Sequence, residues 1–416
     1  MSTPSLDEQQ QLETEYVMPT FARKPVEFVS GSGMHLTDST GKCYLDFLSG
    51  IGVCSLGHCH PAVVTALRSQ AEQLIHVSNY FYIENRGQVA RGLSDMLNAG
   101  LDAASHHTWK TFFANSGAEA NECAIKLARL HAHKQTKARD EEMRAPSLIV
   151  TLVKSFHGRT MTTLTATGQS SLQHGFEPLP EGFVYTPIND IDALQELFAR
   201  FSGQICAMML EPIQGESGVH PCTVEFLQEA RRLTSEADAL LICDEVQCGI
   251  YRTGDAFAFQ SARIVPDVVT MAKGIASGMV CGACAARDEL GEVLTPGTHG
   301  STFGGSNLAM AAARATLREL SDPAIAANVN ERGSSLRQRL ETIPGVRAVR
   351  GRGLMVGVDL DEGLSAPQAV DAALEAGLVI NATGPQTLRF LPPLICTDAD
   401  IDEMVAILTR ICAQLR

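Results

Sequence analysis

From about residue 110 the chain alternates short, nearly unbroken apolar runs with longer stretches whose apolar residues recur every three or four positions. The runs are TFFA (111–114), LIVTLV (148–153), FVYT (183–186), CAMML (206–210), LLIC (240–243) and VVTM (268–271). Continuous apolar runs spaced by helical segments predict a mostly parallel sheet covered on both faces. Ahead of them, residues 26–48 read as short strands: GMHLTD, a turn at Ser39-Thr40-Gly41, then KCYLDFL. Pro61 reads as the first residue of a helix, with Val63, Val64, Leu67, Ala71, Leu74 and Ile75 expected on its apolar face. An alanine-rich helix is predicted from Asn307 toward Leu320. The remainder returns to mixed α+β: GLMVGVDL (353–360), GLVI (377–380), TLRF (387–390) and a last helix opened by Thr397-Asp398-Ala399-Asp400. The expected fold is α/β, a mostly parallel central sheet flanked by helices, with a smaller α+β domain from both chain ends. The division is 1–75 for the N-terminal segment and part of the small domain, 76–305 for the large domain and 306–416 for the rest of the small one.

A chain of 416 residues, 45% hydrophobic and 19% charged, is long and apolar enough to bury a large core, so disorder is excluded. Its formal net charge of -14 argues against nucleic acid or an anionic membrane as partner, while an anionic small molecule still fits if positive groups converge locally. No apolar run approaches the roughly 20 residues that span a bilayer. The opening MSTPSLDEQQQLETEY is polar and acidic, unlike a secretory signal, and a cytoplasmic location is expected. The 12 cysteines have no framework spacing, which suits a reducing compartment. Cys281 and Cys284 form a lone C-x-x-C, and His58-Cys59-His60 is too compact to wrap one ion, so no metal is expected.

In open α/β sheets ligands sit beyond the carboxyl ends of the strands, so the residues following each run are the informative ones. After TFFA comes Asn115-Ser116-Gly117-Ala118-Glu119, where Ser116 and Glu119 form a capping box at a helix start able to hold a phosphate. After LIVTLV comes Lys154-Ser155-Phe156-His157-Gly158-Arg159-Thr160. After CAMML comes Glu211-Pro212-Ile213-Gln214-Gly215-Glu216; after LLIC, Asp244-Glu245-Val246-Gln247; after VVTM, Ala272-Lys273-Gly274. Singly, each is an ordinary loop or capping residue. Together on one sheet edge, an Asp and a Lys each directly following a buried strand are expensive to desolvate without partners.

These segments resemble the class-III, fold-type I aminotransferases that depend on pyridoxal phosphate (PLP). The likeness runs from about residue 18 to the end. It rests on DFLSGIGVCSLGHCHP (46–61), NSGAEANECAIKLAR (115–129), FHGRT (156–160), EPIQGE (211–216), CDEVQCGIYRTG (243–254), MAKG (271–274), HGSTFGG (299–305) and LRFLPPL (388–394). The resemblance implies that Lys273 carries PLP as a Schiff base and shuttles a proton once displaced by substrate. Asp244 would keep the pyridine nitrogen protonated so that the ring accepts electrons. Gln247 would reach the ring hydroxyl, and Val246 and Phe156 the two ring faces. Ser116, Gly117 and Ala118 would hold the phosphate. Ser301 and Thr302 would come from the neighbouring subunit, which implies a homodimer with shared sites. Arg159 would take the carboxylate far from the reacting amine, and Arg389 the α-carboxylate of glutamate, with Glu216 as its switch partner. One departure is visible: the family commonly reads Gly-Gly-Asn-Pro after the Phe, whereas Gly305 is followed here by Ser306-Asn307, altering a helix start.

For the amine donor, Ile51 stands where ornithine-using members of the family place a Tyr, which favours an N-acylated substrate, while Tyr82 matches a Tyr those members also carry. N2-acetylornithine is therefore expected first, with 2-oxoglutarate as acceptor. The products would be N-acetylglutamate 5-semialdehyde and glutamate, as in arginine biosynthesis. N-succinylornithine, ornithine and 4-aminobutyrate stand behind it. Two rivals belong to other classes. A glutamate-1-semialdehyde aminomutase would share the fold and lysine, but the complete FHGRT and the Glu216 and Arg389 pair weigh against it. A nucleotide-dependent oxidoreductase would want G-x-G-x-x-G between a first strand and helix, whereas GSG (31–33) and Gly351-Arg352-Gly353 lead into strands.

Overall fold

The computed structural model describes residues 5–140 and 142–416. After a first helix α1 (Leu6–Tyr16), strands β1 (Phe28–Ser32), β2 (His35–Asp38) and β3 (Cys43–Asp46) form an antiparallel meander. The Asp38 carboxylate organises the turn at 39–41, accepting the backbone N–H of Thr40 at 2.9 Å and of Lys42 at 3.0 Å. Helix α2 runs from Pro61 to Gln73. It is shorter than its apolar pattern suggested: Leu74 is already extended at φ -162°, and Ala71, Leu74 and Ile75 are exposed, leaving Val63 as the apolar side chain buried on this helix.

The central sheet contains β4 (Trp109–Ala114), β5 (Leu148–Leu152), β6 (Phe183–Thr186), β7 (Ile205–Leu210), β8 (Leu240–Asp244), β9 (Val268–Met271) and β10 (Gly282–Arg287), in the order β4-β10-β9-β8-β7-β5-β6. All six predicted runs are strands, and their mutual direction is parallel. The seventh, β10, was not foreseen and runs antiparallel to both β9 and β4. The runs are continuous where strands are buried on both faces, fully so in β7, β8 and β9, while the edge strand β6 exposes Tyr185. In β7, Met208 and Leu210 join one core while Ala207 and Met209 join the other, and in β8 Leu241 and Cys243 alternate likewise with Leu240 and Ile242. Helix α3 (Gly117–Arg139) covers the second face with Ala120, Ala124, Ile125 and Leu127.

The predicted alanine-rich helix is α4 (Asn307–Leu320), packed on α2. After the helix α5 (Pro323–Glu341), β11 (Val346–Arg352), β12 (Met355–Leu360), β14 (Asn381–Ala382) and β15 (Thr387–Phe390) form a sheet ordered β11-β12-β15-β14. Between them in sequence, β13 (Leu378–Val379) leaves that sheet and pairs in parallel with β3, so the two chain ends share one small sheet. The last helix, α6 (Asp398–Leu415), opens with the expected box: Thr397 and Asp400 each accept the other's backbone N–H.

β10 brings the sheet against the start of α3 so closely that a Cβ on Gly282 would lie 2.4 Å from the Ser116 carbonyl oxygen. Gly282→Ala should therefore destabilise the protein by about 1–3 kcal/mol, read as a lower thermal midpoint. An unchanged midpoint would show that the contact yields without cost.

Candidate active site

Asp244 is the last residue of β8, and Lys273 follows β9 by two positions. The loop after β5 carries Phe156, His157 and Arg159, the loop after β7 carries Glu211 through Glu216, and α3 presents its N-terminus at Gly117. These segments meet around a cavity of about 430 Å³ lined by Ser116, Gly117, Ala118, Phe156, Arg159, Asp244, Val246, Gln247 and Lys273 among others. That size suits a small molecule. Lys273 has a left-handed backbone at φ +45°, uncommon for a residue with a side chain and of the kind that clusters at functional sites.

Asp244 is 3% exposed, and its Oδ2 accepts from His157 Nδ1 at 2.7 Å and Asn121 Nδ2 at 2.8 Å. Its Oδ1 accepts the Val246 N–H at 3.1 Å. The Asn121 amide is itself fixed: Nδ2 also donates to the His157 carbonyl at 2.7 Å, and Oδ1 accepts from Thr270 Oγ1 at 2.6 Å. Burial opposes a charge on His157, but the hydrogen bond and charge of Asp244, with the charge of Glu211, win and raise its pKa. His157 Nε2 has no protein partner among the described residues.

A second constellation faces Lys273. Arg389, fully buried, donates through Nη1 to Glu216 Oε1 at 2.8 Å, Gln247 Oε1 at 3.0 Å and the Gly215 carbonyl at 3.3 Å. Gln247 Nε2 completes the triangle, donating to Glu216 Oε1 at 3.0 Å. Arg389 Nε donates to Asn381 Oδ1 at 3.3 Å, and Nη2 is buried without a partner among the described residues. Burial tends to raise the Glu216 pKa, yet the Arg389 charge and hydrogen bond, Lys273 and Gln247 bring it below the ordinary value. Burial lowers the Lys273 amine from the usual lysine range; Glu216, Asp244 and Glu211 resist this, and Arg389 adds to it. A larger neutral fraction makes this amine a better nucleophile and base.

At the start of α3, Ser116 Oγ accepts the Glu119 N–H at 3.2 Å. Only half of the expected capping box forms, because the Glu119 carboxylate turns to Asn115 instead, accepting its backbone N–H at 2.7 Å and side-chain Nδ2 at 2.8 Å. The first N–H groups of a helix lack acceptors within the helix and favour an anion. Close packing shapes this end: a Cβ on Gly117 would lie 2.8 Å from Val246 Cγ1, and one on Gly158 2.7 Å from Ala118 Cβ.

Four of the residues singled out from the sequence lie elsewhere in the chain. Ile51, in a left-handed turn at φ +66°, and Tyr82, at 101% exposure, do not line the cavity. Ser301 and Thr302 line a separate, larger cavity of about 980 Å³ with His76, Tyr80 and His299. Ser301 Oγ accepts from Asn115 Nδ2 at 3.3 Å, linking the two cavities. Ser306-Asn307 begins α4 without a side-chain cap, and Asn307 Oδ1 is buried unpaired among the described residues. His58 is absorbed by an ion pair, Nε2 lying 2.7 Å from Asp46 Oδ2. Sequence reasoning assigned no role to Asn121, Thr270, His157 or Glu211. The one available signal was a polar residue at an otherwise apolar position, Asn121 beside Ala120 and Ala124, and Thr270 inside VVTM.

The chain belongs to the class-III aminotransferase family, whose pattern it matches over residues 19–412. Members of this family depend on pyridoxal phosphate, and the chain is a PLP-dependent aminotransferase. It is 45% identical over 410 residues to an acetylornithine aminotransferase of Caldanaerobacter subterraneus subsp. tengcongensis, covering 97% of this chain and 99% of that one. Among solved structures, the N-acetylornithine aminotransferase of Stenotrophomonas maltophilia superposes with a TM-score of 0.80 at 35% identity, covering 97% of this chain and 98% of that one. An ornithine aminotransferase of Toxoplasma gondii, described with PLP at partial occupancy in its active site, superposes with a TM-score of 0.89 at 30% identity, covering 99% and 95%.

The Asn121 amide donates to an ionised carboxylate inside the protein, a bond stronger than a neutral one. Asn121→Ala should lower kcat by roughly tenfold or more with the fold retained. Steady-state kinetics beside a circular dichroism spectrum would check this, and a wild-type kcat would show that His157 and the Val246 N–H suffice to hold Asp244.

Proposed function

We propose that the chain transfers the terminal amine of N2-acetylornithine to 2-oxoglutarate, with pyridoxal phosphate held on Lys273, as a cytoplasmic homodimer of arginine biosynthesis. The observation that carries this reading is the Glu216–Arg389 pair in contact with Gln247, a residue of the cavity that Lys273 and Asp244 also line. The N-acyl preference takes its support from the names of full-length relatives that are 40–45% identical.

The residues fit the cofactor. A buried carboxylate restrained on both oxygens suits a cationic ring nitrogen, the N–H groups at the start of α3 ahead of Glu119 suit a phosphate, and a lysine with lowered pKa suits an aldehyde. Asp244 would hold the ring nitrogen protonated, Phe156 and Val246 would hold the ring faces, Gln247 its hydroxyl, and Ser116, Gly117 and Ala118 the phosphate. When bound, PLP supplies the electron sink for the carbanion left at the amine-bearing carbon. Lys273 Nζ, its pKa lowered by burial, would take the proton from that carbon and deliver it to the cofactor carbon, the shift that moves the amine from substrate to cofactor.

Arg159, exposed at the cavity rim with its guanidinium 5.5 Å from the Phe156 ring centroid, would bind the carboxylate remote from the amine. Glu216 would neutralise Arg389 while acetylornithine occupies the site and swing away when glutamate presents an α-carboxylate. Ser301 and Thr302 would serve the active site of a second copy, with Ile51 and Tyr82 at the mouth. Exposed Tyr80, Phe81, Tyr82 and Phe303 support a covered face there. The domain division at residues 75 and 305 is retained as part of this reading.

Purified enzyme should be mixed separately with N2-acetylornithine, N-succinylornithine, ornithine and 4-aminobutyrate, and the loss of cofactor absorbance followed. N2-acetylornithine should react fastest. Faster reaction with any other donor would overturn the substrate assignment while leaving the family untouched.

A further inference from the structure

We propose that Glu211 is a positioning residue that ties the Phe156 loop to the Glu216–Arg389 gate, so that the gate opens by a side-chain swing and not by loop movement. This rests on the gate reading above. Glu211 directly follows β7, is 5% exposed and lines the active-site cavity. Its two oxygens serve different loops: Oε2 accepts the Phe156 N–H at 2.8 Å, and Oε1 accepts the Gly215 N–H at 3.2 Å.

Gly215 is where the gate attaches to the backbone. Its carbonyl accepts from Arg389, and it precedes Glu216 directly. No side chain fits here, because a Cβ would lie 2.1 Å from Gln247 Oε1, and Gln247 bonds both Glu216 and Arg389. A continuous line of hydrogen bonds thus runs from the Phe156 backbone through the Glu211 carboxylate to Gly215, Arg389, Gln247 and Glu216. A shift of the Gly215 peptide would move the acceptor that orients Arg389, the group meant to receive the α-carboxylate of glutamate or 2-oxoglutarate.

Only an ionised carboxylate accepts on both oxygens freely. A protonated one turns a donor toward an N–H, and so does an amide. Burial pushes the Glu211 pKa up to about 7; His157 and the Phe156 and Gly215 N–H groups pull it back, while Asp244 pushes further. The other titratable groups facing it are the Lys273 amine and the Cys222 thiol, both of which feel its charge. The clamp is therefore complete above about 7 and loses one accepted bond as pH falls through that value.

The test compares the two half-reactions, glutamate and N2-acetylornithine, for wild type, Glu211→Gln and Glu211→Asp, each holoenzyme checked by circular dichroism and cofactor absorbance. In wild type, the ratio of the glutamate to the acetylornithine rate should rise between about pH 6 and 8. In Glu211→Gln the KM for 2-oxoglutarate should rise roughly tenfold more than that for N2-acetylornithine, and the pH step in the ratio should vanish. Glu211→Asp, which keeps the charge but cannot span both N–H groups, should show the same KM split. A wild-type ratio flat with pH, or variants with the wild-type ratio, would overturn the proposal. Failure of the substrate assignment is read separately, in wild type alone, as a donor that reacts faster than N2-acetylornithine.

Discussion

Asp244 ends a strand buried on both faces, and a charge at that depth is tolerable only with its hydrogen bonds made before any ligand arrives. His157 and Asn121 supply two on one oxygen, and the Val246 N–H supplies one on the other. Losing a single partner would leave a desolvated carboxylate short of donors, a cost of about 1–3 kcal/mol or more. The remaining arrangement follows from that requirement. α3 must place Asn121 over the end of β8, β9 must place Thr270 where it holds the Asn121 amide, and the loop after β5 must fold back to deliver His157. The cavity is what these three demands leave open.

The group around Arg389, which meets the cavity through Gln247, is built differently. Arg389 is as deeply buried as any residue here, yet it keeps Nη2 unpaired among the described residues while Nη1 bonds Glu216, Gln247 and Gly215. With Nε on Asn381 as well, Nη2 is the one guanidinium nitrogen left without an acceptor among the described residues. Asp244 is held by three hydrogen bonds from fixed groups, whereas Glu216 Oε1 is held by the Arg389 and Gln247 side chains. The contrast suits a site whose cofactor stays put and whose two substrates alternate.

The central sheet was legible because burial on both faces turns each parallel strand into an unbroken apolar run, as in LIVTLV and CAMML. β10 was not, since GACAAR is built of small residues that give no β-branched signal; they are small because α3 presses on them, as Gly282 against Ser116 shows. The overlong reading of α2 came from extending an apolar period past Gln73, where the chain turns extended and exposes Leu74 and Ile75. Of the residues that motifs pointed to, Asp244, Gln247 and Lys273 line one cavity, and Glu216 and Arg389 form an ion pair in contact with Gln247. Asn121, Thr270 and Glu211 act through hydrogen bonds across loops distant in sequence, and a lone polar residue in an apolar stretch does not say which partner it meets. The half-formed box at Ser116 makes the same point: Glu119 had a second acceptor duty, at Asn115, that spacing does not encode.

The account's central claim is that one buried amine carries the cofactor opposite a restrained carboxylate. Borohydride reduction of the purified protein, followed by peptide mapping, tests it most directly. The pyridoxyl group should be recovered on the peptide containing Lys273. Recovery on another lysine, or on none, would contradict the account.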